Sequence, residues 1–188
     1  MIRGRTFLRN GLLIGNFLGL ACGTAWASSG VVINPQGDPL EGVTVCYLVA
    51  GVEGMCVTSD MRGTWALPKS RIDTIRLRLQ GYLPKSIVGG DHAEPIILDL
   101  AATLLVKLED AAGDPVAEGE VEVIYSSGRR IGPIPISRAA GTRIRSLQPG
   151  PVVIVVRSAG YAEGRASESE LRAGKETVAI VQLKAASP

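Results

Sequence analysis

The sequence predicts an all-β protein in which two tandem antiparallel β-sandwich domains follow an N-terminal signal peptide. Three observations predict it. Short apolar segments alternate with a period of two residues, Gly, Pro, Asp and Ser clusters separate them, and the chain matches itself at an offset of about 76 to 79 residues.

Residues 1–27 have the organisation of an export signal. A basic start precedes an apolar stretch over residues 11–23, and Ala25-Trp26-Ala27 matches the small-x-small pattern of a signal peptidase site. A membrane-spanning helix is one alternative, but it needs about 20 consecutive apolar residues. A lipoprotein signal cleaved before Cys22 is another, although Gly19 stands where such signals carry a branched aliphatic residue. We therefore expect cleavage after Ala27, with no membrane span in the remaining chain.

Charge and aromatic content exclude one class of partner. The chain has 20 Lys and Arg against 18 Asp and Glu, and three of the arginines lie in the first nine residues. Without the signal the chain is nearly neutral, whereas non-specific binding to nucleic acid needs a strongly basic surface. Aromatic residues make up only 4% of the chain, too few for base-stacking platforms. We expect no nucleic-acid partner.

Two cysteines remain once the signal is removed. An even pair in an exported chain predicts a disulfide between Cys46 and Cys56, with two free thiols as the alternative. If the two cysteines face each other across a hairpin, Val49 faces Glu53 and the loop is Ala50–Val52. The exported chain is expected in the periplasm, at the cell surface or secreted.

The internal repeat fixes the expected domain organisation. The matching elements are Gly37-Asp38-Pro39 with Gly113-Asp114-Pro115, Gly63-Thr64 with Gly141-Thr142, and Gly81-Tyr82 with Gly160-Tyr161. Solenoid repeats run only about 20 to 50 residues, so each copy should be a small domain with its own core. The predicted domains are residues 28–101 and 102–188.

Within each copy the pattern is strand, turn, strand. Alternation is clearest at Ile75–Leu79, where the apolar side chains share one face. Further strands are predicted at Val43–Val49, Val121–Tyr125, Ile96–Leu100 and Val178–Leu183. Only Ser167–Ala173 has helical composition.

Several spaced motifs of the first copy resemble a known family. They are Gly30-Val31-Val32, Gly37-Asp38-Pro39-Leu40, Gly42-Val43-Thr44-Val45, Thr58-Ser59-Asp60 with Gly63 and Trp65, and Gly81-Tyr82. Together they resemble the carboxypeptidase regulatory-like domain, which implies a seven-stranded, transthyretin-like β-sandwich. The second copy carries Gly132-Pro133, then Leu147-Gln148-Pro149-Gly150, then Gly160-Tyr161, and in this order it is similar to PEGA-type domains, although it lacks the Pro-Glu-Gly-Ala tetrapeptide. The resemblance implies a non-catalytic attachment or spacer of an exported or surface protein.

No residue pattern predicts catalysis, a metal site or a cofactor. His92 is the only histidine, and with Asp91 and Glu94 it lies in a polar turn that offers a poor ligand set. Asp60 also lies in a turn, and we expect its carboxylate to bond backbone N–H groups there rather than calcium.

Arg76 and Arg78 are the candidate ligand-binding residues, because they share the outer face of one predicted strand. On this face they either discourage edge pairing or bind an anionic group bidentately. The predicted function is therefore a structural or protein-interaction module of the cell envelope, whose partner is another envelope or surface protein. The alternative is a carbohydrate-binding module for an anionic envelope glycan.

Overall fold

The structure, a computed structural model, describes residues 26–68 and 73–186, without the side chains of residues 26, 27, 167 and 168. Every regular element in this part of the chain is a strand, which confirms the all-β prediction. No helix in it is long and apolar enough to cross a membrane. The first seven strands are β1 (Trp26–Ile33), β2 (Thr44–Val49), β3 (Val52–Thr58), β4 (Thr64–Pro68), β5 (Thr74–Arg78), β6 (Lys85–Val88) and β7 (Ile96–Ile97). The next seven are β8 (Ala102–Glu109), β9 (Gly119–Tyr125), β10 (Arg130–Ile136), β11 (Thr142–Leu147), β12 (Gly150–Arg157), β13 (Gly164–Leu171) and β14 (Glu176–Gln182).

The same strand order occurs twice. In the first set, a three-stranded sheet β4-β1-β7 and a four-stranded sheet β3-β2-β5-β6 form what we call the first sandwich. Strands β8 to β14 repeat this order in sheets β11-β8-β14 and β10-β9-β12-β13, the second sandwich. The pairs β1 with β7 and β8 with β14 are parallel, and all other pairs within the sheets are antiparallel. The last strand of each set is parallel because the chain returns to the three-stranded sheet from the other layer.

Each sandwich has its own hydrophobic core between its two sheets. The first core includes Val32 from β1, Val45 from β2 and Leu77 from β5. The second includes Leu104 from β8 and Val123 from β9. Alternation explains this arrangement, since every second residue of these strands points inward. The domain limits 28–101 and 102–188 remain predictions.

The repeated turns are built alike. Asn34 and Asp110 each accept hydrogen bonds from the backbone N–H groups two and four residues further on, at 2.8–2.9 Å. Side-chain bonding of this kind is the usual stabilisation of Asx turns. Tyr82 and Tyr161 likewise each form an isolated bridge, to Leu100 and Ala185. The matched motifs of the sequence therefore correspond to matched backbone geometry.

The predicted hairpin register is wrong by one residue. Cys46 does face Cys56, but Val49 faces Val52 rather than Glu53, and the turn is Ala50-Gly51. Both turn residues have positive φ, as the two-residue primed turns of hairpins require. β3 has one extra residue between Glu53 and Cys56, seen as an irregularity in its pairing with β2. Counting opposed residues outward from the cysteine pair cannot reveal such an insertion.

Two further expectations need comment. Ser167–Ala173 was expected to be helical by composition, but β13 extends to Leu171 because pairing with β12 overrides local propensity. Of the predicted signal peptide, residues 1–25 lie outside the described residues. The two described residues before the expected cleavage site belong to β1, so cleavage after Ala27 would leave the strand from Ser28 onward.

Candidate functional site

The predicted disulfide is present on the outer face of the first sandwich. Cys46 and Cys56 are bonded across β2 and β3, with their Cα atoms 4.0 Å apart. The side chain of Cys46 is buried, whereas Cys56 is exposed. Glu53 lies near both sulfur atoms, but sulfurs bonded to each other are not thiolate ligands, so this cluster does not offer a metal site.

The two candidate arginines lie on the same outer face, beside the disulfide. Arg76 pairs with Cys46 across β2 and β5, and Arg78 pairs with Thr44. The Arg78 guanidinium donates to the Glu53 carboxylate and lies 3.7 Å from the Cys46 sulfur. Arg76 has no carboxylate partner among the described residues. The face therefore carries one neutralised and one free guanidinium.

Arg78 lines a cleft that it shares with residues of the second sandwich. The cleft has a volume of about 550 Å³, and its lining includes Arg78, Tyr82 and Arg145. Arg143 forms an ion pair with Glu176, which raises the pKa of the Arg143 guanidinium.

The remaining polar candidates are held in local structure. His92 Nε2 lies 3.1 Å from the Val88 carbonyl oxygen, and its ring centroid lies 6.1 Å from that of Trp65. Within the described part of the chain, His92 forms no ligand cluster with Asp91 and Glu94. The Asp60 carboxylate accepts hydrogen bonds from the N–H groups at positions 62 and 64, at 2.9 and 2.8 Å, as expected for a turn.

The aromatic side chains are used in packing. Trp65 and Tyr125 belong to the two cores, and Tyr47, Tyr82 and Tyr161 pack against them. Stacking on a sugar or a base requires an exposed ring face. These five residues therefore do not form an exposed aromatic platform.

Sheet edges are the second feature that can support recognition. Eight strands lie at sheet edges, and such strands usually carry a charge, a proline, a bulge or a short length that discourages further pairing. In seven of them such a feature is present: Glu53 and an irregularity in β3, Pro68 in β4, Lys85 in β6, only two residues in β7, Pro133 and Pro135 in β10, Arg143 and Arg145 in β11, and Arg165 and Glu170 in β13.

Strand β14 differs from the other edges. It runs for seven residues in unbroken parallel register with β8, and it contains neither Pro, Gly, Lys nor Arg. Its single charge, Glu176, is at its first position and already bonded to Arg143. On its outer face Val178 and Ile180 are 54% and 52% exposed. Its second edge forms no ladder in the described structure, but β13 runs beside it: Thr177 Oγ1 lies 3.5 Å from the Glu170 carbonyl oxygen, and Ala162 N–H donates to the Lys184 carbonyl at 2.8 Å just beyond the strand.

A groove lies along this edge. It encloses about 440 Å³ between β13 and β14, and its lining includes Arg165, Ser169, Val178, Ile180 and Gln182. The sequence analysis predicted β14 as a strand but missed its edge position. The available signal was that both faces of Val178–Val181 are apolar, which is typical of strands covered on both sides.

Comparison with known proteins identifies no family for this chain. No family model matches it, and no curated protein does. The β-sandwich is compatible with the fold that the sequence resemblance implies, but no family model supports the carboxypeptidase regulatory-like or PEGA assignment.

Solved structures include similar all-β proteins. The Bacillus anthracis TIE protein is 15% identical with a TM-score of 0.44, and the match covers 85% of this chain and 34% of that one. This chain thus spans about a third of that protein's length. The minor pilin GBS52 of Streptococcus agalactiae is 13% identical over 87% of this chain and 98% of that one, with a TM-score of 0.39. The shaft pilin SpaA of Lactobacillus rhamnosus GG is 10% identical over the same shares, with a TM-score of 0.38. Identities and TM-scores this low assign no function to this chain.

Proposed function

We propose that this protein is an exported, non-catalytic structural or protein-interaction module of the cell envelope. It consists of two tandem domains, residues 28–101 and 102–188, of the carboxypeptidase regulatory-like type, the second also PEGA-like. The observation that carries the interaction role is the outer face of β14, where the apolar side chains of Val178 and Ile180 are both more than half exposed. Neighbouring apolar side chains that remain exposed can mark a protein contact surface.

Export is part of the same proposal. The basic, apolar and small-x-small order of residues 1–27 supports it, and so does the disulfide, since disulfides persist in oxidising compartments. The protein would act in the periplasm, at the cell surface or after secretion, with a protein partner there.

Affinity capture from the native envelope tests the interaction role. The bait is the protein as processed by the producing cell, beside two variants with one added lysine each. Ile180→Lys places a charge at the β14 edge, and Val88→Lys places one on β6, where Val88 is also exposed. We expect a reproducible protein partner that Ile180→Lys loses and Val88→Lys retains, with all three melting temperatures equal. Capture of no protein by any bait, or equal capture by all three, contradicts the proposed role for this edge.

A module for an anionic glycan is the second candidate. It is favoured by the free guanidinium of Arg76 and by the cleft that includes Arg78 and Arg145. Guanidinium groups bind carboxylates and phosphates bidentately. Saturable binding on an array of anionic glycans, abolished by Arg76→Ala with Arg78→Ala at unchanged melting temperature, would support this candidate. Binding that persists in the double variant would exclude these arginines as the site.

A further inference from the structure

We infer that the turn of the β2–β3 hairpin binds a lipid bilayer, so that the end of the first sandwich at which β1 begins lies against the membrane that receives residues 11–23. We call Val49–Val52 the hairpin tip. The inference goes beyond the proposed function, because it uses neither Val178 nor Ile180.

The hairpin tip is an exposed apolar turn. Its sequence is Val49-Ala50-Gly51-Val52, and all four residues are exposed, Val52 to 72% and Val49 to 40%. The corresponding turn of the second sandwich, between β9 and β10, is Ser126-Ser127-Gly128-Arg129. The same hairpin therefore has a polar, charged turn in one copy and an apolar turn, unfavourable in water, in the other.

The backbone of the tip would accept a polar residue more readily than the one it carries. Ala50 has φ +50°. Two-residue hairpin turns usually place Asn, Asp or Gly in this left-handed conformation, because it destabilises most other residues. The hairpin carries an apolar residue where a polar one fits the backbone better, which indicates that the turn is required to be apolar.

The start of β1 lies at the same end of the first sandwich as the hairpin tip. Gly90 N–H donates to the Ser28 hydroxyl at 3.2 Å, and the adjacent Gly89 N–H donates to the Asp73 carbonyl at 3.2 Å. Asp73 leads directly into β5, whose first residue pairs with Leu48, next to the tip. These contacts connect the start of β1 to the hairpin across both sheets.

The predicted signal is tied to this end by a short connection. Residues 11–23 contain no charged residue, and only residues 24 and 25 separate them from β1. A connection of this length spans at most about 11 Å. Signals of this kind enter the membrane during export, so the hairpin tip lies beside the bilayer while the signal is attached. A few apolar side chains bind a bilayer weakly by themselves, and a second attachment makes such binding stable.

Charge and chain direction agree with this orientation. Glu53 directly follows the tip, but it forms an ion pair with Arg78, so the tip does not carry an unpaired carboxylate toward the lipid. Strand β7 runs parallel to β1, so the chain leaves the first sandwich at the end opposite to the start of β1. The second sandwich is therefore directed away from the bilayer.

Fluorescence of the full chain in phosphatidylcholine vesicles tests the inference. A polarity-sensitive label is attached to Val52→Cys or to the matched control Met61→Cys, which is 78% exposed in the β3–β4 turn at the opposite end. Both variants also carry Cys22→Ser, and since Cys46 and Cys56 are bonded, one thiol remains for the label. We expect vesicles to shift the emission to the blue, and a lipid-attached quencher to reduce it, at position 52 and not at position 61. Unchanged emission at position 52, or equal shifts at both positions, overturns the inference.

Ala50→Asp separates lipid binding from folding. Aspartate accepts the positive φ of this position at least as well as alanine, so the melting temperature should not fall. Its carboxylate opposes transfer into lipid. In the labelled Val52→Cys protein we therefore expect Ala50→Asp to abolish the blue shift and the quenching. A full shift in this variant overturns the inference.

The outcomes also separate this inference from the proposed function. A blue shift at position 52 without vesicles would identify a protein contact at the tip and overturn the bilayer as its occupant. Loss of the captured protein in Ile180→Lys tests the outer face of β14 and does not depend on the tip. Either idea can therefore fail while the other stands.

Discussion

Replacing Gly141 with alanine tests how closely β8 and β11 approach each other. Gly141 has φ +88°, and a Cβ added there would lie 2.2 Å from the Val106 carbonyl oxygen. Gly113 supplies the matched control, because it has φ +89° and nothing within 4 Å of an added Cβ. The two substitutions therefore share the backbone cost and differ in the steric clash.

The magnitudes follow from this difference. A left-handed backbone costs about 1–2 kcal/mol for a residue with a Cβ, so Gly113→Ala should lower the free energy of unfolding by about that amount. Gly141→Ala must also push β11 away from β8 where Thr142 pairs with Val106. Losing one or two of the buried ladder hydrogen bonds there adds about 1–3 kcal/mol for each group left unpaired. With one such group left unpaired, we expect a total loss of about 2–5 kcal/mol.

Urea unfolding followed by circular dichroism measures both losses. The first sandwich offers the same comparison, since Gly63 has φ +72° with the Val32 carbonyl oxygen 2.3 Å from an added Cβ, and Gly37 has φ +92° with free space. Gly63→Ala should therefore cost more than Gly37→Ala. Surface substitutions usually change stability by no more than about 0.5 kcal/mol. If Gly141→Ala and Gly113→Ala differ in their loss of stability by less than about that amount, the close approach is not the cause.

Three further measurements test the structure. Reducing the Cys46–Cys56 disulfide, whose cysteines are 10 residues apart, should lower the free energy of unfolding by roughly 2–3 kcal/mol. Calorimetry should show the first sandwich melting about 10–20 °C lower and the second unchanged. A fall in melting temperature of under about 3 °C would count against this. Tyr125→Phe removes the hydroxyl that donates to a backbone carbonyl at 3.2 Å, so urea unfolding should show a loss of about 0.5–1.5 kcal/mol, and an unchanged midpoint would contradict the bond. The hydrogen bond from Arg165 lowers the pKa of the Glu163 carboxyl, so its contribution to stability is present above the unfolded-state pKa and is lost as the pH falls through the lower folded-state pKa. An NMR titration should find this pKa higher in Arg165→Gln, and an identical titration midpoint would disprove the contact.

The repeat shows how much of the fold could be predicted without coordinates. Gly63 and Gly141 were matched in sequence because they are the same residue at the same offset, and both have positive φ. Both positions require glycine because an added Cβ would clash with a carbonyl oxygen of a strand distant in sequence, that of Val32 for Gly63 and that of Val106 for Gly141. The sequence shows that the two glycines repeat at the same offset, but it does not show the contact that requires them.

The candidate sites were less accessible to sequence reasoning. Arg76 and Arg78 were correctly placed on one strand face, because side chains alternate strictly along a strand. That Glu53 neutralises Arg78 depends on the irregularity in β3, which the sequence does not reveal.

By itself, the sequence determined the all-β class, the repetition of the unit and the pairing of Cys46 with Cys56. These properties depend on residue period, turn chemistry and residue counting, which are local or additive. Only the tertiary structure decided which strands lie at sheet edges, because strand order depends on contacts between residues far apart in the chain. The parallel return of β14 beside β8 places at an edge a strand whose only charged residue is Glu176, with Val178 and Ile180 exposed on its outer face. The exposure of these two apolar side chains is therefore a consequence of the complete fold.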